Sequence, residues 1–292
     1  MDLDLRRVPP EGAVTETLHD RRSGRSWSVE VAPFEIAPTV VTRGLWREVM
    51  AGPDLDDPGR PGRPADAAGP GGPGGPGGRG APAGPGGPGG PGPGDRGLPA
   101  VEVSWRDAIL FCNRLSASAG LAPAYAIEEV TVPEPAGWVP HHRPAPDDWH
   151  VSWDRDADGY RLPTEAEWQV ACRAGTTGPH YARLAEIAWY EDTAGGHLHP
   201  VGHLPPNAWG LFDMLGGVWE WCWDLYDPAV YGPYRVLRGG GWADPAWSCR
   251  AGARRRTNPS ARLDDLGFRL ARTVPGGFAA PPPQSACRSA HA

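Results

Sequence analysis

The sequence predicts an α+β domain with two main helices, short strands and a high loop content. Three observations carry this expectation. Two segments pair a capping-box start with an apolar stripe at helical spacing. Apolar–polar alternation occurs only in short runs. The chain of 292 residues holds 14 tryptophans against 7 tyrosines, and each indole buries a large area while offering one N–H donor. Indoles can therefore fill a core that few regular elements surround.

The elements follow in chain order. In RSWSVEVAPFEIAPTV, residues 25–40, the runs SVEV and FEI alternate and are expected as strands. Thr42 then caps a helix, RGLWREVM, with Leu45, Trp46, Val49 and Met50 on one face. Residues 52–96 are dominated by Gly and Pro. They are expected to be a disordered insertion that interrupts one domain, because so little apolar surface cannot offset the entropy of ordering. A glycine at every third place from Gly69 to Gly78 is broken at Ala81, which excludes a collagen helix.

The first strong helix is SWRDAILFCNRLSASAG, residues 104–120, with Ser104 and Asp107 in capping-box register. Ala108, Phe111, Cys112 and Leu115 form its stripe, and Gly120 ends it. Residues 126–150 are rich in Pro and His, but the adjacent His141 and His142 match no zinc spacing. DWHVSW is expected as a strand. Asp154, Asp156 and Asp158 before Gly159 are expected as a turn, since no helix precedes them as an EF-hand would require. The second strong helix follows Pro163, with Thr164 and Glu167 as its capping box and Trp168, Ala171 and Cys172 as its stripe. Beyond Gly175, the expectation is short strands and loops, a short helical window at Leu211–Leu215, and two strands, RVLRGG and GFRLAR. The domain is expected over 26–273, with residues 1–25 an N-terminal extension and 274–292 a disordered tail.

Composition narrows the function. No apolar run is long enough to span a bilayer, and MDLDLRRVPPEG lacks a signal-peptide core. The expectation is a cytoplasmic protein without a membrane partner. Cys112, Cys172, Cys222, Cys249 and Cys287 are sparse and odd in number, which argues against a disulfide framework. All 28 basic residues are arginine, and nine lie between Arg235 and Arg272 with only three acids. Among glycines and aromatic residues these are expected to form internal ion pairs and stacks rather than a nucleic-acid surface.

Six phrases then occur in order: SVEVAPFEIAPTVVTRGLWREVM, LPAVEVSWRDAILFCNRLSASAGLAPAY, GYRLPTEAEWQVACRAG, HPVGHLPPNAWGLFDMLGGVWEWCWD, RVLRGGGW and LGFRLAR. Together they resemble the sulfatase-modifying-factor family, which includes formylglycine-generating enzymes and the C-terminal module of ergothioneine-type sulfoxide synthases. The resemblance covers about residues 28–272, apart from the Gly/Pro run and parts of 126–150. It implies a variant of the C-type-lectin fold with two helices, a small twisted sheet and much ordered loop.

The resemblance also implies chemistry. In formylglycine-generating enzymes two cysteines five apart, after an Arg-Gly-Gly-Ser motif, bind copper(I) and use dioxygen to oxidise a substrate cysteine. Counted from Gly239 and Gly240, the second cysteine falls on Cys249, the first on Asp244 and the serine on Gly241. A carboxylate is a hard ligand and a poor replacement for a thiolate on copper(I). Trp221 matches an active-site tryptophan of the oxidases. A family calcium loop reads Gly216-Gly217-Val218-Trp219-Glu220-Trp221 here; it keeps Glu220 but has Gly217 in place of an asparagine. The sulfoxide-synthase version needs a His-x3-His-x-Glu pattern that this chain lacks.

Three functions follow from these residues. One is an oxidase acting on a peptide cysteine, with Cys249 on copper, Trp221 beside it and Cys222 brought near by a loop shift. Another is a non-catalytic binding or accessory module whose Trp242, Trp247, Asp244 and nearby arginines contact a peptide, a protein or a small polar ligand. The third is a modification enzyme using a different metal, for which the residues offer no ligand set.

Overall fold

The computed structural model describes residues 3–51, 93–129 and 149–274. Residues 52–92 of the expected 52–96 insertion, the His141–His142 pair and the tail beyond 274 lie outside them, whereas the expected disorder does not extend to residues 93–96, which lie in a 3-10 helix whose Asp95 pairs with Arg43 and Arg47. In chain order the elements are β1 (Arg6–Val8), β2 (Val14–Asp20), β3 (Arg25–Val31), β4 (Phe34–Ile36), α1 (Arg43–Met50), a 3-10 helix (Pro93–Gly97), α2 (Trp105–Ser118), β5 (Tyr125–Glu129) and β6 (Trp149–Trp153). There follow β7 (Tyr160–Arg161), α3 (Glu165–Arg173), α4 (Leu184–Ile187), β8 (Trp219–Leu225), α5 (Pro228–Tyr231), β9 (Arg235–Arg238), β10 (Arg255–Thr257), β11 (Leu266–Gly267) and β12 (Ala271–Thr273). None of the described helices is long and apolar enough to cross a membrane.

Among the described residues these strands form two four-stranded sheets and two two-stranded ones. One sheet has the order β1-β4-β12-β7 and the other β10-β9-β8-β11, while β2 pairs with β3 and β5 with β6. The first sheet joins the two ends of the chain, since β4 lies between β1 and β12. The N-terminal boundary expected at residue 26 is therefore too late. β1 and β2 fall within residues 1–25, and they bury Val8 and Leu18 in the core. GFRLAR is two strands rather than one. Its first residue closes β11 on β8, and its last two open β12 in the other sheet. The buried Phe268, Arg269 and Leu270 link them.

The helices begin where their caps place them. The Ser104 side chain accepts from the Asp107 N–H, and Thr164 does the same for Glu167, with the reciprocal carboxylate bonds present in both. The apolar stripe of α2 packs with Trp219, Trp221 and Phe268, whereas Trp168 and Cys172 of α3 pack with Met214, Cys222 and Cys249. Leu211–Leu215 forms no helix; it is a buried loop. The indole-rich run after it is strand β8, paired with β9 on one edge and β11 on the other. Two-sided burial makes that strand apolar without alternation, so no strand period marks it.

Buried arginines hold the loops. Arg161, Arg238 and Arg269 are almost completely buried. Arg269 donates to both Glu220 oxygens, to the carbonyls of Ala37 and Pro38, and to that of Phe212. Arg238 pairs with Glu165 and donates to the Ala251 and Ala253 carbonyls. Arg254 also pairs with Glu165, and its guanidinium lies over Trp27 and Tyr226. Of the arginines between 235 and 272, Arg238, Arg254 and Arg269 are turned inward, while Arg255 and Arg262 stay exposed.

Candidate functional site

The segment RGGGWADPAWSCR leaves β9 as a tight turn. Gly239 and Gly240 take φ of +103° and +92°, a region open to glycine but costly for other residues. A Cβ on Gly240 would stand 2.6 Å from the Cys249 Sγ, so the turn closes directly over that thiol. A Cβ on Gly241 would stand 2.5 Å from an Asp265 carboxylate oxygen. The place of the family serine side chain is therefore filled by Asp265.

Asp244 is consumed inside the loop. Its Oδ2 accepts from Trp219 Nε1 at 2.6 Å and from the Gly241 N–H at 2.9 Å, and its Oδ1 faces Arg255 at 3.6 Å. Its carbonyl accepts from the Glu191 N–H. Cys249 is fully buried. Burial, reinforced by the charge of Asp244, pushes its thiol up to about 12. Cys222 is also buried and raised, first by burial and then by Glu165 and Asp224. The charged groups acting on the two thiols differ, and among the described residues no group of three or more His, Cys, Asp or Glu side chains is placed to hold a metal. A copper(I) site needs accessible, ionised soft donors. One sealed neutral thiol and one occupied carboxylate do not fit it.

Calcium fares no better at Glu220. The carboxylate is fully buried; one oxygen meets Arg269 Nη2 at 2.9 Å, and the other accepts from Arg269 Nε at 3.1 Å and Trp168 Nε1 at 2.9 Å. Calcium requires six to eight oxygens. Here a guanidinium already neutralises the single acid, and Gly217 supplies no side chain. Trp221 is a core indole, with Nε1 donating to the Val103 carbonyl at 2.8 Å.

The two remaining tryptophans lie toward solvent. Trp247 is 67% exposed, and its carbonyl accepts from Arg250 Nε. Trp242, half-buried, lines a cleft of about 580 Å³, within the range of small-ligand sites. Its backbone N–H bonds to the Gly217 carbonyl, and its indole N–H is buried without a partner. Neither Trp247, Asp244 nor Cys249 lines this cleft; its other walls bring Arg43, Trp46, Arg47, Glu102, His197 and Asp264 to Trp242. Sequence reading misses these residues. The i, i+4 spacing of Arg43 and Arg47 on α1 was the available signal, but nothing local marks Glu102 or Asp264.

A sequence model of the family described as "Sulfatase-modifying factor enzyme 1-like domain" matches residues 8–274. The chain is 29% identical over 201 residues to the "Chaperone protein LppX" of Paenibacillus barcinonensis, across 60% of this chain and 70% of that protein. It is 37% identical over 161 residues to the "Formylglycine-generating enzyme" of Streptomyces coelicolor, across 42% of this chain and 51% of that one. The "Inactive C-alpha-formylglycine-generating enzyme 2" of Mus musculus is 38% identical over 149 residues, across 42% and 47%. The chain thus spans about half the length of these two. Among solved structures, "Treponema denticola variable protein 1" superposes with a TM-score of 0.67 at 30% identity, covering 92% of this chain and 95% of that one. The fold is the formylglycine-generating-enzyme type, a C-type-lectin-like variant, and the chain belongs to the sulfatase-modifying factor family.

Proposed function

We infer that this chain is a non-catalytic binding module on the formylglycine-generating scaffold, taking a peptide or protein segment at the loop surface around Trp242 and Trp247. One observation carries the reading. The residue in the place of the first copper thiol, Asp244, spends its carboxylate on Trp219 and Gly241 within its own loop. The remaining thiol, Cys249, is closed off beneath Gly240. Relatives named as a chaperone, as a formylglycine-generating enzyme and as an inactive one share the family, so the scaffold alone does not imply oxidation. The inward-turned arginines support a partner other than nucleic acid.

The test is copper(I) titration against a competing chelator, with oxygen uptake measured in the presence of a Cys-x-Pro-x-Arg peptide. The expected outcome is no retained copper and no uptake above the protein-free rate. One copper held per chain, with oxygen consumed, would establish the oxidase instead.

A further inference from the structure

The cleft beside Trp242 has an uneven charge lining. At one end Arg43 and Arg47 of α1 share a single acid, Asp95. Among the described residues, two cations on one carboxylate leave an excess of positive charge, and their side chains are 33% and 43% exposed. At the other end stand the exposed carboxylates of Glu102 and Asp264, neither of them paired among the described residues. Glu102 holds φ +58°, a left-handed conformation that is strained for a glutamate and must be imposed by its surroundings. Its N–H donates to the Leu263 carbonyl, and its own carbonyl accepts from Arg262.

The floor between the two ends is the run Leu98–Glu102. The Leu98 carbonyl accepts from the Arg43 N–H, and the Glu102 N–H reaches Leu263, next to Asp264. Four residues span at most about 14 Å, which limits the separation of these two anchor points. Trp46, Trp242 and Leu198 line the same cleft.

We propose that this cleft binds a dipolar peptide segment, with an acidic side chain against Arg43 and Arg47 and a basic one against Glu102 and Asp264, the two charges about three residues apart. The proposal rests on the binding-module reading and names its ligand class. Complementary charges of both signs fix register, and the apolar lining supplies contact area.

The experiment is calorimetric titration of the full chain with acetyl-Asp-Gly-Gly-Arg-amide and with the reversed order. An Asn/Gln peptide serves as the neutral control, and Asp/Gln and Asn/Arg peptides carry one charge each. The expected result is saturable one-to-one binding of the dipolar peptide, in one chain direction, at least about tenfold tighter than the control and weakened by salt. Glu102→Gln with Asp264→Asn weakens peptides that carry Arg and spares the Asp/Gln peptide; Arg47→Gln does the reverse. Circular dichroism confirms that each variant is folded, and the two sets of substitutions act as independent arms. Equal affinity for dipolar and neutral peptides, no saturable binding of any peptide, or the same loss for all peptides in all variants would overturn the proposal. Those failures leave the copper and oxygen assay unaffected, so the ligand class and the binding-module reading fail separately.

Discussion

At Gly240 the chain turns with φ +92°, and a methyl group there would collide with the Sγ of Cys249 at 2.6 Å and press on its Cα at 3.2 Å. Gly217 contrasts with it. It also has positive φ, at +71°, but its Cβ direction is open to 4 Å. Asparagine tolerates that conformation. Gly240→Ala is therefore expected to cost more than about 2 kcal/mol in urea unfolding, through strain and overpacking together. Gly217→Asn is expected to lie within about 1 kcal/mol of the parent. It also restores the oxygen donor of the family calcium loop, yet calcium is expected to leave its melting temperature unchanged, because Arg269 holds Glu220. A calcium-dependent rise would show that the ion pair yields to the metal. The glycines and Glu220 are visible in the sequence. That Arg269, 49 residues later, answers Glu220 is not, because nothing local couples two residues so far apart.

On the scale of single elements, α3 shows how a local signal and a distant one meet in one side chain. Thr164 caps the helix, and Glu167 returns the bond to the Thr164 N–H. Glu167 also receives Arg161 in a two-pronged contact at 2.7 and 2.8 Å, with the guanidinium fully buried. Thr164→Ala removes one cap and is expected to cost about 1 kcal/mol. Glu167→Ala strands a buried cation and is expected to cost about 3–5 kcal/mol. Chemical denaturation of the two variants side by side checks the order; equal losses would mean that the ion pair contributes nothing beyond the cap. The capping box is legible because its partners sit three residues apart. Strand β8 is not, because its edge partners, β9 and β11, come later in the chain and residues of α2 and α3 join its side chains in the two core clusters that bury it.

Across the whole molecule, charge inside the fold sets a pH response. Asp224 is half-buried, and its carboxyl is raised from 3.8 to about 6, first by loss of solvent and then by repulsion from Glu165. The folded state then binds the proton more tightly than the unfolded chain does. Stability contributed by this group is complete below the unfolded value and is lost as pH rises from about 4 to 6, by at most about 3 kcal/mol. Asp224→Asn can keep the acceptor for the Glu165 N–H and removes the titration. The stability difference between variant and parent is expected to move in the variant's favour across that window and to stay flat above it. A difference independent of pH, from unfolding curves at pH 4 to 7, would show that Asp224 does not titrate there.

The amino-acid sequence by itself determined the α+β class, the two capped helices and the indole-filled loop architecture, because each rests on residue type or on spacings of a few residues. Only the tertiary structure decided that the first residues belong to the sheet, that buried arginines staple the loops, that Asp244 caps its own turn and that Trp242 opens on a cleft of mixed charge. Those outcomes depend on pairs such as Arg269 with Ala37, 232 residues apart. Only chain closure brings such pairs together, and burial then makes their hydrogen bonds obligatory.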